Sequence, residues 1–405
     1  MSLIKLNNNY KFMNKIDKYY LINNHYNIYQ MFELRKLTIK KLNVIKNIKK
    51  LHSQINLLNN KKDILTEITN VDVCCGLAWG DEAKGKIVAH LSKTRNYDYV
   101  CRWAGGHNAG HTIYKNNKKY KTHLIPTGVF YGIKSIIGPD CVIEKNAFLQ
   151  EIEYLEQNNF DTKLIKVSPK CHIIQEDHIL EDKNTLAISQ GSTSRGIAPC
   201  YRDKYARKGS RVCDDENYDF FKEYIWDEEL NGNILCEGAQ GFWLDINYGN
   251  YPYVTSSNTL PYGCCNLGFS PKAITNIYGA CKIYDTRSGI DPDFPEELFD
   301  SEELKIIGEI GCEFGVTTGR KRKVNWLNLD KLIKSINISG TTQCIISKTD
   351  VLYEAKIFKL YYNNILETFV SIDNMKSFIN EKIYNNCKYV EKIIYSNNVE
   401  TVEGL

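Results

Sequence analysis

The stretch VDVCCGLAWGDEAKGKIV, residues 71–88, decides the fold of this chain. Its apolar start predicts a short buried strand, and a helix is predicted to open at Lys86 after a glycine-bearing loop. Gly80, Gly85 and Lys86 have the spacing G-x-x-x-x-G-K, in which backbone N–H groups between a strand and a helix cradle phosphate. The stretch therefore predicts an anion-binding loop in an α/β protein.

Two features of this loop do not fit an ordinary phosphate cradle. Ile87 follows the lysine, at the position where a P-loop carries a Ser or Thr hydroxyl for magnesium. Asp81 and Glu82 also bring two carboxylates into a loop that should attract anions. Phosphate binding alone accounts for neither feature.

Strands and helices alternate in the chain beyond residue 70. Four further segments have the pattern of apolar strands that end in polar loops: DYVCRW (98–103), NILCEG (233–238), NIYGACKIY (276–284) and TQCIISK (342–348). Apolar residues at helical spacing predict two helices, one over Phe148, Ile152 and Leu155 and one over Leu329, Ile333 and Ile336. We therefore predict an α/β fold with a mostly parallel central sheet flanked by helices, which binds ligands beyond the carboxyl ends of its strands.

A basic leader precedes this α/β part. Residues 1–70 carry 13 Lys and Arg against 4 Asp and Glu and contain no Gly or Pro, whereas the remaining residues carry 39 against 44. We therefore predict an N-terminal extension over 1–70 and one catalytic domain over 71–405. A 4-3 spacing from Leu37 through Ile48 to Leu58 fits either a basic amphipathic helix, for oligomer contact or an anionic surface, or the biased composition alone.

Charge and cysteine content exclude several classes of protein. The mild acidity after residue 70 argues against nucleic-acid binding. The sequence contains no run of ~18 apolar residues and no secretory signal, so we expect a cytoplasmic protein. Its fourteen cysteines include no C-x-x-C pair, which predicts reduced thiols and argues against a zinc site.

The stretch AGGHNAGHT, residues 104–112, contains two histidines four residues apart. Three glycines exclude a stable helix there, so His107 and His111 are not a zinc-binding pair on one helix face. The loop suits anion binding and proton transfer. The alternative is a turn whose histidines are satisfied by local hydrogen bonds.

Four more loops carry side chains that suit a nucleotide. Residues 191–212 contain four arginines after small hydroxyls, and residues 316–326 contain Arg-Lys-Arg-Lys after Thr-Thr-Gly. Both suit phosphate, with a solvated basic face or a nucleic-acid patch as alternatives. Residues 236–259 are rich in amides and hydroxyls that can recognise a base or ribose. In residues 347–352 a Lys-x-Asp follows a strand, as in loops that recognise guanine through a carboxylate.

In their order and spacing, these motifs resemble those of the adenylosuccinate synthetases. The matching segments are WGDEAKGKIV, GGHNAGHT, HLIPTGV, DKYARKG, EGAQG, YPYVTSSNT, TTGRKRK and KTDVL. They span residues 71 to about 400 and resemble a compact form of the family, with a short segment between Val212 and Leu235. The resemblance implies a P-loop-like GTP-binding core. It also implies a ligase that joins IMP to L-aspartate while GTP becomes GDP and phosphate, with one Mg²⁺ per subunit.

The resemblance also implies catalytic roles. Asp81 would be the general base that takes the N1 proton of hypoxanthine, so that O6 attacks the γ-phosphate of GTP and gives 6-phosphoryl-IMP. His111 would stabilise charge on O6 and assist departure of the phosphoryl group when the aspartate amine attacks C6. Lys84 would offset phosphate charge, and Asp81 with the Gly110 carbonyl would hold Mg²⁺. A metal at Asp81 would explain both the acid in the loop and the missing hydroxyl.

Three sets of binding residues are implied by the resemblance. GTP would contact Gly80, Asp81, Glu82, Ala83, Lys84, Gly85, Lys86, Gly110, His111, Thr112, Arg322, Lys348, Thr349 and Asp350. IMP would contact Asn108, Thr193, Arg207, Gln240, Thr255 and Arg320, and L-aspartate would contact Val316, Thr317, Thr318, Gly319 and Arg320. Arg207 would reach the IMP of a neighbouring subunit, which implies a homodimer. Neither nucleic acid nor a membrane is expected as a partner.

The chain departs from the family pattern at several of these positions. Ala83 replaces a loop glycine, which is a small change if its φ is negative, and Ala198 replaces another glycine. Tyr395, Ser396 and Asn397 stand where Ser-Thr-Gly is expected. The choice between GTP and ATP depends on this last segment.

Two other functions compete with this interpretation. Viral-type relatives use dGMP and ATP to make an aminoadenine precursor, but they replace the catalytic aspartate by a smaller residue, whereas Asp81 is retained here. The 2-amino group of guanine should clash with that carboxylate or misplace it. A catalytically inactive nucleotide-binding scaffold is the second alternative, and the intact Asp81 and His111 argue against it.

Overall fold

The computed structural model describes residues 36–37, 40–41, 44–50, 68–294, 298, 300–314 and 321–405. The chain divides into two compact units, Met1–Leu65 and Thr66–Leu405. In the first unit, residues 44–50 are helical, and the side chains of Val44 and Ile48 are more than half exposed. The later position of the 4-3 spacing, Leu58, lies outside the described residues.

The described part of the second unit is built from alternating strands and helices. Its strands are β1 (Ile68–Gly76), β2 (Tyr99–Gly105), β3 (His111–Lys115), β4 (Lys118–Thr122), β5 (Lys134–Ile143), β6 (Ile165–Val167), β7 (His172–Ile173), β8 (Gly232–Glu237), β9 (Ile274–Lys282), β10 (Tyr284–Arg287), β11 (Lys323–Asn328), β12 (Gln343–Ser347), β13 (Lys359–Tyr362), β14 (Ile365–Thr368) and β15 (Lys392–Ser396). Its α-helices are α1 (Lys84–Thr94), α2 (Lys145–Gln157), α3 (Glu176–Glu181), α4 (Ala187–Gln190), α5 (Ile197–Tyr205), α6 (Asp215–Phe221), α7 (Glu302–Ile310), α8 (Leu329–Ser339), α9 (Thr349–Ala355) and α10 (Ile372–Asn386).

Nine of these strands form one central sheet. Its order is β15-β12-β9-β1-β8-β2-β5-β6, with β7 also paired to β5. Every pairing within it is parallel. A smaller mixed sheet joins β10, β11, β13 and β14, and β3 forms an antiparallel hairpin with β4. The predicted α/β fold with a mostly parallel central sheet is confirmed.

Strand β1 lies in the middle of the sheet, and its second half is apolar on both faces. Cys74 packs in one cluster with Ile87 and Leu91 of α1, whereas Val73 belongs to the cluster that contains Leu332 of α8. A parallel strand covered by helices on both faces needs such a continuous apolar run. This burial explains why the residues before the phosphate-like loop are so hydrophobic.

The elements predicted from the sequence are present. The four further strands are β2, β8, β9 and β12, and the two helices are α2 and α8. Helix α1 begins at Lys84, two residues before the predicted start. Within the described ranges, no helix is both long and apolar enough to cross a membrane.

Candidate active site

A cavity of about 680 Å³ opens at the carboxyl edge of the central sheet. Its walls come from the segments at the ends of β1, β2, β8, β9, β12 and β15. Parallel strands direct these ends to one edge, so residues that are far apart in sequence meet there. The volume lies in the range of sites for small molecules, about 300–1,000 Å³.

The cavity gathers most of the residues that the sequence assigned to substrates. Those that line it are Gly80, Asp81, Glu82, Ala83, Lys84, Gly85, Lys86, Asn108, Gly110, His111, Thr112, Thr193, Gln240, Thr255, Arg322, Lys348 and Asp350. Thr349 is buried and Arg207 is exposed, and neither lines the cavity. The residues predicted to bind aspartate, 316–320, and with them Arg320 of the IMP set, lie outside the described residues.

The loop between β1 and α1 turns through three residues in the left-handed region. The φ angles are 92° at Gly80, 60° at Asp81 and 68° at Ala83. The condition under which Ala83 would be a small change from glycine, a negative φ, is therefore not met. Ala83 immediately precedes α1, and the turn into the helix requires this backbone conformation. A residue with a Cβ is disfavoured there by roughly 1–2 kcal/mol.

Ala83→Gly should therefore raise the free energy of unfolding by about 1 kcal/mol, because glycine adopts the left-handed conformation without the Cβ penalty. Urea denaturation measures this change. Ala147→Gly is the matched control within α2 and should lower the free energy of unfolding by about 0.5–1 kcal/mol. If the Ala83→Gly variant were no more stable than the wild type, the claim that Ala83 has a strained backbone would be contradicted.

Glu82 points into the loop. It is 1% exposed, and its Oε1 accepts hydrogen bonds from the backbone N–H of Gly80 at 2.7 Å and of Ala78 at 3.2 Å. Its Oε2 accepts from Nζ of Lys84 at 2.6 Å. A Cβ at Gly241 would lie 2.3 Å from Glu82 Oε1, so only glycine permits this approach. The buried pair of Glu82 and Lys84 thus holds the shape of the loop, which explains one of its two acids.

Of the two acids of this loop, both of which line the cavity, Asp81 is the more exposed. Its side chain is 30% exposed, and its Oδ2 lies 2.8 Å from Nε of Arg322 in an ion pair. Arg322 also donates from Nη1 to Oε2 of Glu313 at 2.6 Å. The guanidinium of Arg322 is therefore held between two carboxylates and orients Asp81 at the wall of the cavity.

A buried ionic cluster supports Arg322. Glu313 also accepts hydrogen bonds from Nζ of Lys282 at 2.8 Å and from the hydroxyl of Tyr284 at 2.7 Å. Burial by itself raises the pKa of Glu313, but Lys282 and Arg322 outweigh burial and lower this pKa to about 2. Glu313 is therefore a fixed negative partner for both cations at neutral pH.

His111 is held by a second buried carboxylate. Its Nδ1 makes a hydrogen bond to Oε1 of Glu237, which is fully buried. Glu237 also accepts from the backbone N–H and the hydroxyl of Thr127, at 2.7 and 3.0 Å, and lies 3.6 Å from Nη1 of Arg102. Burial and Arg102 lower the pKa of His111, against the opposing effect of Glu237. With Nδ1 engaged, Nε2 is the ring nitrogen left for a ligand.

The pKa of Glu237 follows from the same contacts. Burial by itself raises this pKa, but His111 and Arg102 lower it to about 2. Glu237 is therefore ionised at neutral pH and fixes both the orientation and the tautomer of the imidazole.

Helix α1 and strand β3 approach each other closely at this point. A Cβ at Gly85 would lie 2.9 Å from Cβ of His111 and 3.3 Å from the carbonyl oxygen of Thr112. Glycine at position 85 therefore brings the first turn of α1 next to His111. The free N–H groups and the dipole of a helix N-terminus favour an anion in the space that both elements border.

Amides and hydroxyls form another part of the wall. Gln240 Oε1 accepts from the hydroxyl of Ser257 at 2.8 Å, and Thr255 Oγ1 lies 3.1 Å from the same hydroxyl. Asn108 Oδ1 accepts from the backbone N–H of Gly106 at 3.3 Å. Such groups suit the donor and acceptor edge of a base or a ribose.

Comparison with known proteins matches this chain to one protein family. The family model for adenylosuccinate synthetase matches residues 73–231 and 221–388. The chain belongs to the adenylosuccinate synthetase family. Its members are ligases that form a C–N bond.

Individual synthetases show the extent of the similarity. The adenylosuccinate synthetase of Parabacteroides distasonis is 41% identical over 334 residues, which cover 70% of this chain and 78% of that protein. The adenylosuccinate synthetase of Clostridium novyi is 39% identical over 335 residues, which cover 69% and 78%. The structure of fully ligated adenylosuccinate synthetase from Plasmodium falciparum has a TM-score of 0.70 at 26% identity and covers 81% of this chain and 97% of that chain.

A viral relative shares only the fold. Succinoaminodeoxyadenylate synthetase of cyanophage S-2L, bound to dGMP and dATP, has a TM-score of 0.62 at 16% identity and covers 82% of this chain and 93% of that chain.

Three charged residues of this synthetase site were not identified from the sequence. Glu237 and Lys282 are the last residues of β8 and β9, and Glu313 follows α7. A charged residue at the end of an apolar strand indicates a functional or structural ion pair, because a buried charge requires a partner. The positions of Glu237 and Lys282 could therefore have been identified from the sequence. Glu313 carries no such signal, since it lies outside the strands and helices.

Proposed function

We propose that this chain forms adenylosuccinate from IMP and L-aspartate, with conversion of GTP to GDP and phosphate through 6-phosphoryl-IMP. The observation that carries the proposal is a pair of groups on one cavity: the Asp81 carboxylate oriented by Arg322, and the His111 imidazole oriented by Glu237. These are a candidate base and a candidate stabiliser of charge on oxygen.

The reaction needs both groups because O6, the exocyclic oxygen of hypoxanthine, is a poor leaving group until it is phosphorylated. Asp81 takes the proton from N1, and O6 forms a bond to the γ-phosphorus as the bond to the bridging oxygen of GDP breaks. The aspartate amine then forms a bond to C6 and loses one proton to solvent, and the C6–O6 bond breaks. O6 thus leaves within inorganic phosphate, and His111 stabilises the charge on it in both steps.

Arg322 connects the base to the phosphates in this proposal. Its ion pair with Asp81 positions the carboxylate, while Glu313 anchors the same guanidinium from the buried side. We propose that Arg322 contacts the phosphates of GTP as Asp81 turns to N1 of IMP. Lys84, held by Glu82 beside the first turn of α1, adds positive charge to the same region.

Mg²⁺ is the ion that the family resemblance implies, and the oxygen groups at the cavity fit it. The partly exposed Asp81 carboxylate and the Gly110 carbonyl are hard oxygen donors on the cavity wall. Among the described residues, no group of three or more His, Cys, Asp or Glu side chains is arranged to hold a metal. One carboxylate and one backbone carbonyl suit Mg²⁺, which takes one or two protein carboxylates and completes its shell with water and substrate phosphates. Bound there, it would neutralise phosphate charge.

We also propose a homodimer that acts in the cytoplasm. Arg207 is exposed, has a φ of 61° and does not line the cavity of its own chain, so its guanidinium is available to a neighbouring subunit. All fourteen cysteines fall in the described part of the chain as free thiols, which supports a reducing compartment.

The proposal is tested by product formation from IMP and L-aspartate, with GTP and with ATP in parallel, and with dGMP in place of IMP. We expect adenylosuccinate from IMP and GTP and no product from dGMP, because a 2-amino group would misplace the Asp81 carboxylate. Selectivity for dGMP would identify a viral-type enzyme. No turnover with any purine nucleotide would favour a binding scaffold.

A further inference from the structure

The C-terminal segment that follows β15 lies along one face of α1. Nζ of Lys86 donates hydrogen bonds to the hydroxyl of Ser396 at 2.8 Å and to the carbonyl oxygen of Asn398 at 3.0 Å. One turn further along the helix, Nδ1 of His90 accepts from the backbone N–H of Val402 at 3.3 Å. Residues four apart share a helix face, so Lys86 and His90 hold the segment at two points.

Burial makes this attachment stronger than a surface contact. Lys86 is 8% exposed, although its side chain carries a charge. Val402 is fully buried in the cluster that contains Ile87 and Leu91 of α1. A buried ammonium needs its hydrogen bonds, and removing them leaves an unsatisfied charge. The contacts of Lys86 are therefore a fixed part of the structure.

The attached segment borders the cavity. The residues of this segment that line it are Ser396, Asn397, Asn398 and Val399. Strands β15 and β12 pair in parallel with Ser396 opposite Ser347, so the segment emerges beside the residues after β12, of which Lys348 and Asp350 also line the cavity. The two neighbouring strand ends thus form one end of the cavity.

We propose that Lys86 is a positioning residue for the nucleobase of the triphosphate, which it serves by holding residues 396–399 beside Lys348 and Asp350. The G-x-x-x-x-G-K spacing suggests a phosphate contact for Lys86, whereas its hydrogen bonds lead to the C-terminal segment. Helix α1 therefore serves both ends of the nucleotide: its N-terminus faces the phosphates and Lys86 secures the base-binding end. The identity of the triphosphate rests on the proposed function.

Lys86→Met tests this role, because methionine fills a similar volume without hydrogen-bond donors. We expect the KM for GTP and the Kd for GDP to rise about tenfold, with the KM for IMP changed less than about twofold and kcat retained within about threefold. Ser396→Ala removes one of the two hydrogen bonds and should raise the same two constants by about threefold. Lys93→Met, at an exposed position in the last turn of α1, is the control and should change none of these values.

The possible outcomes distinguish a lysine that positions the base-binding segment from a lysine that acts on the transferred phosphate. A large fall in kcat at unchanged KM for GTP would show that Lys86 acts on the transferred phosphate and would overturn the proposal. Equal rises in the KM for GTP and for IMP would also overturn it. If Lys86→Met does not fold, Ser396→Ala decides: an unchanged Kd for GDP overturns the proposal, and a selective rise supports it. Wild-type protein that binds GDP without turning over IMP would contradict the proposed function and leave this binding test intact.

A pH profile gives a second measurement of the same role. Burial and the nearby Lys348, against the opposing effect of Asp350, lower the pKa of Lys86 to about 8, and His90 faces it from the same helix. Above that pH the neutral amine makes weaker hydrogen bonds than the ammonium. The ratio of KM for GTP between Lys86→Met and the wild type should therefore fall from pH 7 to pH 9, whereas ionisation of guanine affects both proteins equally. A constant ratio would contradict a role for the charged form.

Discussion

We expect Asp81→Asn to lower kcat by about a thousandfold, as when a general base is lost. Asparagine has nearly the same shape as aspartate but cannot accept the N1 proton, so O6 of IMP does not become a competent nucleophile. Binding of IMP and of GDP should change by less than about tenfold, because the hydrogen-bonding groups of Gln240, Thr255 and the first turn of α1 are untouched. Steady-state formation of adenylosuccinate and calorimetric titration measure the two effects.

Asp373→Asn is the control for this substitution. Asp373 is an exposed carboxylate in the first turn of α10 and should leave kcat unchanged. If Asp81→Asn retained more than about a tenth of the wild-type kcat, a catalytic base at position 81 would be contradicted.

We expect the second large effect from Glu237→Gln, a fall in kcat of about a hundredfold with a loss of stability of about 3 kcal/mol. Glu237 acts through His111, so it is a positioning residue. A neutral amide no longer fixes the imidazole, and it leaves the buried guanidinium of Arg102 without its carboxylate. Glu151→Gln removes a different buried carboxylate, which accepts hydrogen bonds from three consecutive backbone N–H groups. This control should also lose stability but keep kcat within about threefold.

The pH dependence of stability isolates the charge of Glu237. Its folded pKa of about 2 is below the ordinary value of 4.5, so its ionised form stabilises the folded state above pH 4.5. This contribution is lost as the pH falls from 4.5 toward 2. Between pH 5 and pH 3 the wild type should therefore lose about 2 kcal/mol more than Glu237→Gln, as measured by urea unfolding. Parallel curves for the two proteins would contradict the low pKa.

The fold was predictable from the sequence where burial leaves a simple pattern. The central strands are mostly apolar because helices cover both faces of the sheet, and the glycine-rich loops follow their carboxyl ends. The hairpin of β3 and β4 was not predicted, because KKYKT, residues 118–122, has only two buried side chains and a mostly polar composition. Strand β4 pairs only with β3 among the described strands, so its sequence lacks the apolar pattern of a central strand.

The residues of the site were predictable where a motif fixes the residue types. The backbone and side-chain conformations of those residues were not predictable. The family resemblance identified Asp81 as the base, yet nothing local distinguishes it from Glu82, which is held inside the loop by backbone N–H groups and Lys84. The positive φ of Ala83 likewise follows from the turn into α1. The clustering of Glu313 with Arg322 depends on tertiary packing, which the sequence pattern does not encode.

The central claim is that O6 of IMP receives the γ-phosphoryl group before the aspartate amine displaces it. Its most direct test is single-turnover reaction of IMP labelled with ¹⁸O at position 6, with GTP and L-aspartate, followed by ³¹P NMR of the released phosphate. The proposed mechanism predicts that the phosphate carries the label, because O6 leaves bonded to phosphorus, and that Asp81→Asn releases labelled phosphate about a thousandfold more slowly. Adenylosuccinate formed together with unlabelled phosphate would contradict it, since O6 would then have left without being phosphorylated.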